Sequence, residues 1–408
     1  MKKIKLYKAN SLTNTLINLT GSKSESNRAL IINALCESPG KVENLSSARD
    51  TDIMQHLLAS DEDVLNAQDA GTVMRFMTAY LALKDGEVEL TGTEHMKKRP
   101  VGILVDALKT IGFDIQYLEN EGYPPLKIGN LPEQKINYIV LNSTVSSQYI
   151  SALLMIAPRL PEGLTIKLKG KPVSTPYIDM TVNIMEHFGV HVDVKDFTYS
   201  IKPQSYAFKP FEVEADWSGA SYWYSLFAIS DLDELRLSGL RMNSIQGDAA
   251  VVTLMESFGV YTRFEGNVAV LSKINALYPT EIDFIKYPDL AQTFAVLSAV
   301  LGHECVFKGL QTLKIKETDR VVALKTELNK LGADLIEKGD TWTLLPAPYN
   351  QALPDSIEIT TYDDHRMAMA FAPLVLKMDV VFDNTEVVNK SYPGFWGDLR
   401  KVGVKIKD

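Results

Sequence analysis

The stretch Gly21–Leu45, GSKSESNRALIINALCESPGKVENL, sets a pattern that the rest of the chain repeats. It opens with polar residues and continues with small and apolar ones, which together are long enough for about three helical turns. Ser38-Pro39-Gly40 then indicates a turn, and Lys41–Leu45 alternates like a short strand. The stretch therefore predicts a polar helix start, a helix, a turn and a strand.

The same pattern recurs in five later segments of the chain. They are DAGTVMRFMTAYLALKDGEVELTG from Asp69, SSQYISALLMIAPRLPEGLTIKLKG from Ser146, GASYWYSLFAISDLDELRLSGL from Gly219, PDLAQTFAVLSAVLGHECVFKGL from Pro288 and DDHRMAMAFAPLVLKMDVVFDNT from Asp363. Each predicted helix begins near a hydroxyl, a glycine or an acid suited to an N-cap and is then nearly all apolar. Helices that are apolar on every side belong in a protein interior.

A second helix with one polar face follows most copies and ends at a glycine before a strand, as in VDALKTIGFDI and VNIMEHFGVHV. Corresponding positions of the later copies, from Arg75 to Met367, are 71 to 74 residues apart, whereas Arg28 and Arg75 are only 47 apart. We therefore expect the first repeat to lack about one helix–strand hairpin near Leu57–Leu65.

The chain length of 408 residues predicts two or more domains, and six repeats divide naturally into two sets of three. We expect one domain from residues 20–213, with repeats one to three. The other is expected to combine residues 214–408, with repeats four to six, and an N-terminal arm of residues 1–19.

Composition and charge exclude several functions. The net charge of −9 argues against nucleic acid as the main partner. The start, MKKIKLYKANSLTNTL, lacks the apolar core of a secretory signal. The sequence also contains no run of about eighteen apolar residues, which is the length that a membrane-spanning helix needs. Cys36 and Cys305 lie in apolar stretches and form neither a disulfide framework nor a CxxC metal pair. These features favour a cytoplasmic protein without a metal site.

Cations and hydroxyls are concentrated at the predicted helix starts and in three further loops, HMKKRPVG, LKIKETDR and VVNKSYP. Helix N-termini favour anions, arginine binds carboxylate or phosphate through two parallel hydrogen bonds, and lysine acts as a point charge. The pattern therefore predicts a small ligand with several negative charges. The polar segments at the helix starts supply Lys23, Ser24, Arg28, Gly71, Thr72, Arg75, Ser146, Ser147, Gln148, Asp289, His365 and Arg366, and the loops supply Lys97, Lys98, Arg99, Lys314, Lys316, Glu317, Arg320 and Lys390.

Each motif taken singly has an ordinary structural explanation. SKSESNR could be a capped helix with solvated charges, DDHR could be a surface charge cluster, and DAGT does not match the Walker phosphate-binding loop. Their recurrence at the same place in successive repeats favours function.

The chain resembles the 5-enolpyruvylshikimate-3-phosphate synthase family in eight motifs that together cover essentially its whole length. In order, they are GSKSESNRAL, DAGTVMRF, MKKRPVGIL, SSQYISALL, VSTPYIDMT, KIKETDR, DDHRMAMA and NKSYPGFW. The resemblance implies an α/β fold, a two-domain inside-out α/β barrel of βαβαββ repeats, that closes on its substrates like a clamp. It also implies transfer of the enolpyruvyl group of phosphoenolpyruvate to the 5-hydroxyl of shikimate 3-phosphate, with release of phosphate and without a cofactor.

The same resemblance implies roles for individual residues. Asp289 would take the proton of the 5-hydroxyl, Glu317 would protonate the methylene carbon, and Lys23 would touch both substrates. Because cations lower the pKa of a carboxyl group, Glu317 needs opposing burial to act as an acid near neutral pH. Shikimate 3-phosphate would be bound by Lys23, Ser24, Arg28, Ser146, Ser147, Gln148, Ser174, Tyr177, Asp289 and Lys316. Phosphoenolpyruvate would be bound by Lys23, Gly71, Arg75, Arg99, Gln148, Arg320, Arg366 and Lys390.

The chain departs from the family pattern at three positions besides the short first repeat. Asp69 stands where Asn is common, Phe76 replaces a frequent Pro, and Thr312 stands where a substrate-contacting Asn is often found. Gly71 leaves the usual room for the inhibitor glyphosate.

Two other functions compete with this interpretation. The related enolpyruvyl transferase acting on UDP-N-acetylglucosamine commonly carries a reactive cysteine on a mobile loop, and neither Cys36 nor Cys305 lies in such a loop. A non-catalytic anion-binding protein of the same fold would gain nothing from Asp289 and Glu317, because acids repel anions.

Overall fold

The computed structural model describes residues 2–170 and 172–407 and divides into two compact units. The central unit is Lys23–Val213, and the terminal unit combines Met1–Ser22 with Glu214–Asp408. The helices in the described ranges are α1 (Lys23–Ala34), α2 (Arg49–Ala59), α3 (Gly71–Leu81), α4 (Gly102–Ile111), α5 (Ser147–Ile156), α6 (Thr175–His187), α7 (Trp217–Ile229), α8 (Val251–Glu256), α9 (Ala291–Val300), α10 (Arg320–Asn329), α11 (His365–Phe371) and α12 (Phe395–Lys401).

The strands fall between these helices. They are β1 (Ile4–Leu6), β2 (Leu16–Asn18), β3 (Val42–Glu43), β4 (Val64–Asn66), β5 (Val88–Thr91), β6 (Ile115–Tyr117), β7 (Leu126–Ile128), β8 (Tyr138–Asn142), β9 (Leu164–Lys169), β10 (Asp193–Lys195), β11 (Thr198–Ile201), β12 (Phe211–Glu212), β13 (Glu234–Ser238), β14 (Val260–Glu265), β15 (Val268–Lys273), β16 (Glu281–Asp283), β17 (Cys305–Lys308), β18 (Asp334–Lys338), β19 (Thr341–Leu345), β20 (Ser356–Ile359), β21 (Asp379–Phe382) and β22 (Ile406–Lys407).

A complete repeat is a βαβαββ unit whose strands form one sheet. In the second repeat β4 pairs in parallel with β5, and β7 lies antiparallel between β5 and β6. The third and fifth repeats have the same order, β8-β9-β11-β10 and β16-β17-β19-β18. The predicted α/β class and the βαβαββ repeat are confirmed.

The N-terminal strands complete two sheets of the terminal unit. β2 pairs in parallel with β13, and β1 lies antiparallel between β21 and β22. Within the central unit, β12 pairs in parallel with β3. Strands that are distant in the sequence thus fill the places that the local repeats leave open.

The first repeat is shorter than the others, but the prediction that it lacks a helix–strand hairpin is wrong. Both of its helices are present, and residues 60–63 lead from α2 directly to β4 of the next repeat. The missing part is the pair of strands that ends the other repeats, so the sheet of the first repeat consists of β12 and β3 among the described residues.

The second helix of the first repeat, α2, is amphipathic and buries Ile53, Met54 and Leu57.

The first helix of each repeat lies in the core, as its apolar composition predicts. In the central unit α3 contacts α1 and α5, and in the terminal unit α9 contacts α7 and α11. The glycines that end the second helices have positive φ angles, which suits the left-handed position after a helix. They are Gly112, Gly189, Gly259, Gly332 and Gly403. No helix within the described ranges is long and apolar enough to cross a bilayer.

Candidate active site

In the terminal unit, the guanidinium of Arg320 binds three carboxylates. Its Nε donates to Asp364 Oδ2 at 2.6 Å, its Nη1 to Asp289 Oδ1 at 3.0 Å, and its Nη2 to Glu317 Oε2 at 2.8 Å. Arg320 is only 1% exposed, because α10 begins here against the start of α11. A buried guanidinium with paired acids holds its geometry firmly. This cluster fixes both acids that the sequence analysis assigns to proton transfer.

Further cations surround the two acids. Arg366 Nη2 donates to Asp289 Oδ2 at 2.8 Å, and its Nη1 donates to the hydroxyl of Tyr222 at 3.2 Å. Lys316 Nζ lies 4.0 Å from Asp289 Oδ1, and Lys390 Nζ lies 3.9 Å from Glu317 Oε1. The predicted site residues of this unit therefore form one connected cluster.

The cations control the protonation of Asp289. Burial raises the pKa of this carboxyl group, but Arg366, Lys316 and Arg320 lower the pKa by more and hold it well below its ordinary value. Burial in turn lowers the pKa of Lys316. Asp289 is therefore ionised near neutral pH, which is the state that a proton acceptor requires.

Asp364 is a further acid of this cluster, and the motifs did not predict it. It is fully buried, accepts a hydrogen bond from the backbone nitrogen of Arg366 at 2.9 Å, and anchors Arg320. In the sequence, Asp364 looks like an ordinary acid that caps a helix. Its second contact, with Arg320, is visible in the structure alone.

In the central unit, Lys23 forms an ion pair with Asp50. Lys23 Nζ lies 3.1 Å from Asp50 Oδ2, and the two side chains are 14% and 2% exposed. The pair joins the first residue of α1 to the first turn of α2. Asp50 was not predicted. Acids are common in the first turn of a helix because they interact favourably with the helix dipole, so Asp50 gave no sign of a role in the site.

Arg28 is buried one turn further along α1, and its hydrogen bonds go to neutral oxygens. It donates to Thr181 Oγ1 at 2.8 Å, to the carbonyl oxygen of Ser24 at 2.8 Å and to Ser151 Oγ at 3.2 Å. Its guanidinium also lies over the rings of Phe76 and Tyr177, at 5.3 and 5.9 Å from their centroids. Burial lowers the pKa of Arg28 to about 10.

Two arginines crowd Gly71 at the start of α3. A Cβ atom at this position would lie 2.8 Å from both terminal nitrogens of Arg99 and 2.9 Å from Nη1 of Arg75. Arg99 Nη1 donates to the carbonyl of Asp69 at 3.4 Å, while Arg75 donates to the carbonyls of Gly71 and Pro100 at 3.1 and 2.7 Å. Only glycine leaves this approach open.

Side-chain contacts join the helix starts of the central unit. Arg49, which precedes Asp50, binds Asp69 Oδ1 at 2.6 Å. Beyond Gly71, Gln148 Nε2 donates to Thr72 Oγ1 at 3.2 Å, and Ser146 caps α5 by accepting from the Gln148 nitrogen at 3.3 Å. The contacts thus connect the starts of α2, α3 and α5. The recurring motifs lie at the last two of these starts, whereas the start of α2 carries none of them.

Some predicted cations and hydroxyls lie elsewhere. Lys97 and Lys314 form exposed pairs with Glu119 and Glu337, each at 2.7 Å. Ser174 is buried at the start of α6 with a positive φ of 53°. Within the described ranges, no group of three or more His, Cys, Asp and Glu side chains is arranged to hold a metal ion.

Comparison with known proteins identifies the family. A model of EPSP synthase (3-phosphoshikimate 1-carboxyvinyltransferase) matches residues 54–399. The chain is 45% identical over 407 residues to a 3-phosphoshikimate 1-carboxyvinyltransferase of Bacteroides fragilis, with 98% of each chain covered. The chain belongs to the EPSP synthase family.

Other members of the EPSP synthase family agree with this assignment. A 3-phosphoshikimate 1-carboxyvinyltransferase of Haemophilus influenzae is 36% identical over 446 residues, covering 99% of this chain and all of the relative. A solved EPSP synthase from Acinetobacter baumannii matches with a TM-score of 0.80 at 19% identity, covering 100% of this chain and 99% of that one. The structural match shows the same fold.

The departures from the EPSP synthase pattern have local explanations at two of three positions. The charge of Asp69 is paired with Arg49, and the ring of Phe76 packs against the guanidinium of Arg28. Thr312 Oγ1 is buried without a hydrogen-bond partner in the described part of the chain, and nothing in the structure explains this residue.

Proposed function

We propose that this chain transfers the enolpyruvyl group of phosphoenolpyruvate to the 5-hydroxyl of shikimate 3-phosphate and releases phosphate, a step of aromatic amino acid biosynthesis. The observation that carries the proposal is the guanidinium of Arg320, which binds Asp289 at 3.0 Å and Glu317 at 2.8 Å. Two acids that are fixed to one cation, with Arg366 and Lys390 beside them, suit a reaction in which protons move next to anions.

The proposed steps balance in atoms and charge. Asp289 accepts the proton of the 5-hydroxyl while that oxygen forms a bond to C2 of phosphoenolpyruvate. Glu317 gives a proton to C3, which becomes a methyl group, and a tetrahedral intermediate results. The bond between C2 and the phosphate oxygen then breaks while Glu317 takes a proton back from the methyl group, which restores the double bond. The leaving phosphate carries away the proton that Asp289 accepted, so that both acids return to their starting states. The cations that lower the pKa of Asp289 leave this carboxylate unprotonated, so it has an oxygen free to take the proton.

Substrate binding is proposed for the residues that carry the family motifs. Phosphoenolpyruvate is bound by Lys23, Gly71, Arg75, Arg99, Gln148, Arg320, Arg366 and Lys390. Shikimate 3-phosphate is bound by Lys23, Ser24, Arg28, Ser146, Ser147, Gln148, Ser174, Tyr177, Asp289 and Lys316. Arg28 supports this assignment because its contacts are to hydroxyl and carbonyl oxygens, so that an anion would add a charge-assisted bond.

The proposed binding residues come from both units. We infer that residues 20–213 and residues 1–19 with 214–408 act as two domains of one enzyme. Substitutions of binding residues in either domain should therefore lower the turnover of one and the same reaction.

The proposal also includes an inhibitor and a location. Glyphosate is proposed to compete with phosphoenolpyruvate near Gly71, and the protein is proposed to lie in the cytoplasm.

The state of the cysteines argues against the transferase that acts on UDP-N-acetylglucosamine. Burial raises the pKa of Cys36 to about 11 and of Cys305 to about 12, so neither thiol is a ready nucleophile near neutral pH.

Phosphate release from defined substrate mixtures tests the proposal. With phosphoenolpyruvate, we expect release with shikimate 3-phosphate and none with UDP-N-acetylglucosamine. Release only with the UDP-sugar would identify the related transferase. Binding of shikimate 3-phosphate without any release would identify a non-catalytic anion-binding protein.

A further inference from the structure

Asp248 is a buried acid beside the arginine cluster of the terminal unit, and the proposed mechanism does not use it. It lies in a 3-10 turn at Gly247–Ala250 and is 4% exposed. Ser218 donates a short hydrogen bond to its Oδ2, while its Oδ1 is buried with no hydrogen-bond partner among the described residues. An acid in such a position is costly to keep ionised.

Ser218 connects Asp248 to the proposed catalytic cluster. Arg366 Nη2 donates to Ser218 Oγ at 3.4 Å, and the same nitrogen donates to Asp289 Oδ2 at 2.8 Å. Asp248, Ser218, Arg366 and Asp289 thus form a continuous series of polar contacts. A change in the charge of Asp248 therefore acts on Arg366 both through this series and through space.

The charged groups that act on Asp248 come from three elements. Asp216 caps α7, Asp289 precedes α9, and Arg366 lies on α11. Burial and then Asp289 raise the pKa of Asp248, while Arg366 and the hydrogen bond from Ser218 lower it, with the result at about 7. Near neutral pH, Asp248 therefore exists in both its ionised and its protonated form.

An anion that binds to Arg366 adds negative charge near Asp248 and favours its protonated form. The coupling is reciprocal, so protonation of Asp248 must strengthen the binding of the anion. We propose that Asp248 takes up a proton when an anionic substrate binds at Arg366, and so matches the charge of the site to its occupant. The inference rests on the proposed function in placing phosphoenolpyruvate at Arg366. Asp248 is thus a positioning residue that acts through Ser218 and Arg366.

The pH dependence of kcat/KM for phosphoenolpyruvate, at saturating shikimate 3-phosphate, tests this role between pH 7 and 9. Over this range the phosphate of the substrate is already mostly ionised, since the second pKa of a phosphate monoester is about 6. For the unmodified enzyme we expect kcat/KM to fall with rising pH, approaching about tenfold per pH unit as Asp248 ionises. Asp248→Asn should abolish this decline.

Ser218→Ala provides a second, independent variant. It removes the hydrogen bond that lowers the pKa of Asp248, so the decline should move to higher pH rather than disappear. A loss of packing alone would lower kcat/KM at every pH and leave the shape of the profile unchanged. An unchanged profile in both variants would overturn the proposal.

Calorimetry with inorganic phosphate in two buffers of different ionisation enthalpy separates this inference from the proposed reaction. At pH 7.5 we expect proton uptake on phosphate binding to the unmodified protein and clearly less uptake with Asp248→Asn. Equal uptake would contradict the role of Asp248 even if turnover is as proposed. Absence of turnover together with this difference in uptake would contradict only the proposed function.

Discussion

Lys23 and Asp50 form a largely buried ion pair, with Lys23 Nζ 3.1 Å from Asp50 Oδ2. Lys23→Met would leave Asp50 as a buried charge without its lysine, and we expect the free energy of unfolding to fall by about 3 kcal/mol. It should also weaken substrate binding and turnover together, because Lys23 is proposed to contact the substrates before and during the reaction. Urea denaturation, calorimetry with shikimate 3-phosphate and phosphate release measure these effects.

The double variant Lys23→Met with Asp50→Asn separates stability from function. Removing the uncompensated charge should restore much of the lost stability, whereas activity should stay low. A double variant that is no more stable than Lys23→Met would contradict the importance of the ion pair. Normal activity in either variant would contradict the role of Lys23.

Glu317→Gln removes the proposed proton donor and changes the shape of the side chain little. The glutamine can still accept from Arg320, so we expect shikimate 3-phosphate to bind almost as before while turnover falls by about 100-fold or more. Glu337→Gln is the matched control, since Glu337 is an exposed acid of the same unit. Turnover of Glu317→Gln equal to that of the control would show that another group delivers the proton.

Gly71→Ala should mainly affect phosphoenolpyruvate. The new methyl group would lie 2.8 Å from the terminal nitrogens of Arg99 and force them to move. We expect KM for phosphoenolpyruvate to rise by about tenfold with a smaller change in kcat, which is the pattern for a contact made equally in the ground and transition states. Gly397→Ala, which meets no atom within 4 Å, is the control. Equal KM values in the two variants would argue against a role for Arg99 in binding.

Thr181→Val tests the buried hydrogen bonds of Arg28. It removes the oxygen that accepts from Arg28 Nε at 2.8 Å, and an unsatisfied buried donor costs about 2 kcal/mol of unfolding free energy. Shikimate 3-phosphate should also bind less tightly because Arg28 loses its fixed position. Thr110→Val is the control, since the exposed hydroxyl of Thr110 donates to the Asp106 carbonyl of its own helix. Similar unfolding midpoints for the two variants would refute the expected cost.

The repeats could be predicted because their signals are local, so each can be read from a short stretch of sequence. Apolar runs such as Ile150–Ile156 predict buried helices, and glycines such as Gly112 mark helix ends. The individual strand partners of β2 and β12 could not be predicted, because strands of two or three residues carry no signal for a distant partner. The strand pair missing from the first repeat was mistaken for a helix–strand hairpin because α2 ends at Ser60, without the glycine that marks the other second helices.

The sequence predicted the cations of the site better than it predicted the acids that pair with them. Asp50 and Asp248 lie near the starts of second helices, where other repeats carry Arg99, Glu317 and Lys390. Comparison of the repeats at these positions could have indicated both acids. An acid repels an anionic ligand when it is considered alone, but Asp364 and Asp289 hold the arginines in place through ion pairs.

Incorporation of solvent deuterium into the product is the most direct test of proton transfer by Glu317. In heavy water, addition to C3 would give a CH2D group, and the following elimination would leave deuterium in part of the product's methylene group. Proton NMR of the product made by the unmodified enzyme should therefore show partial deuteration of this methylene. Glu317→Gln should form far less product under the same conditions. A product that forms at the normal rate with a fully protonated methylene would contradict the account, because C3 would then never have accepted a proton.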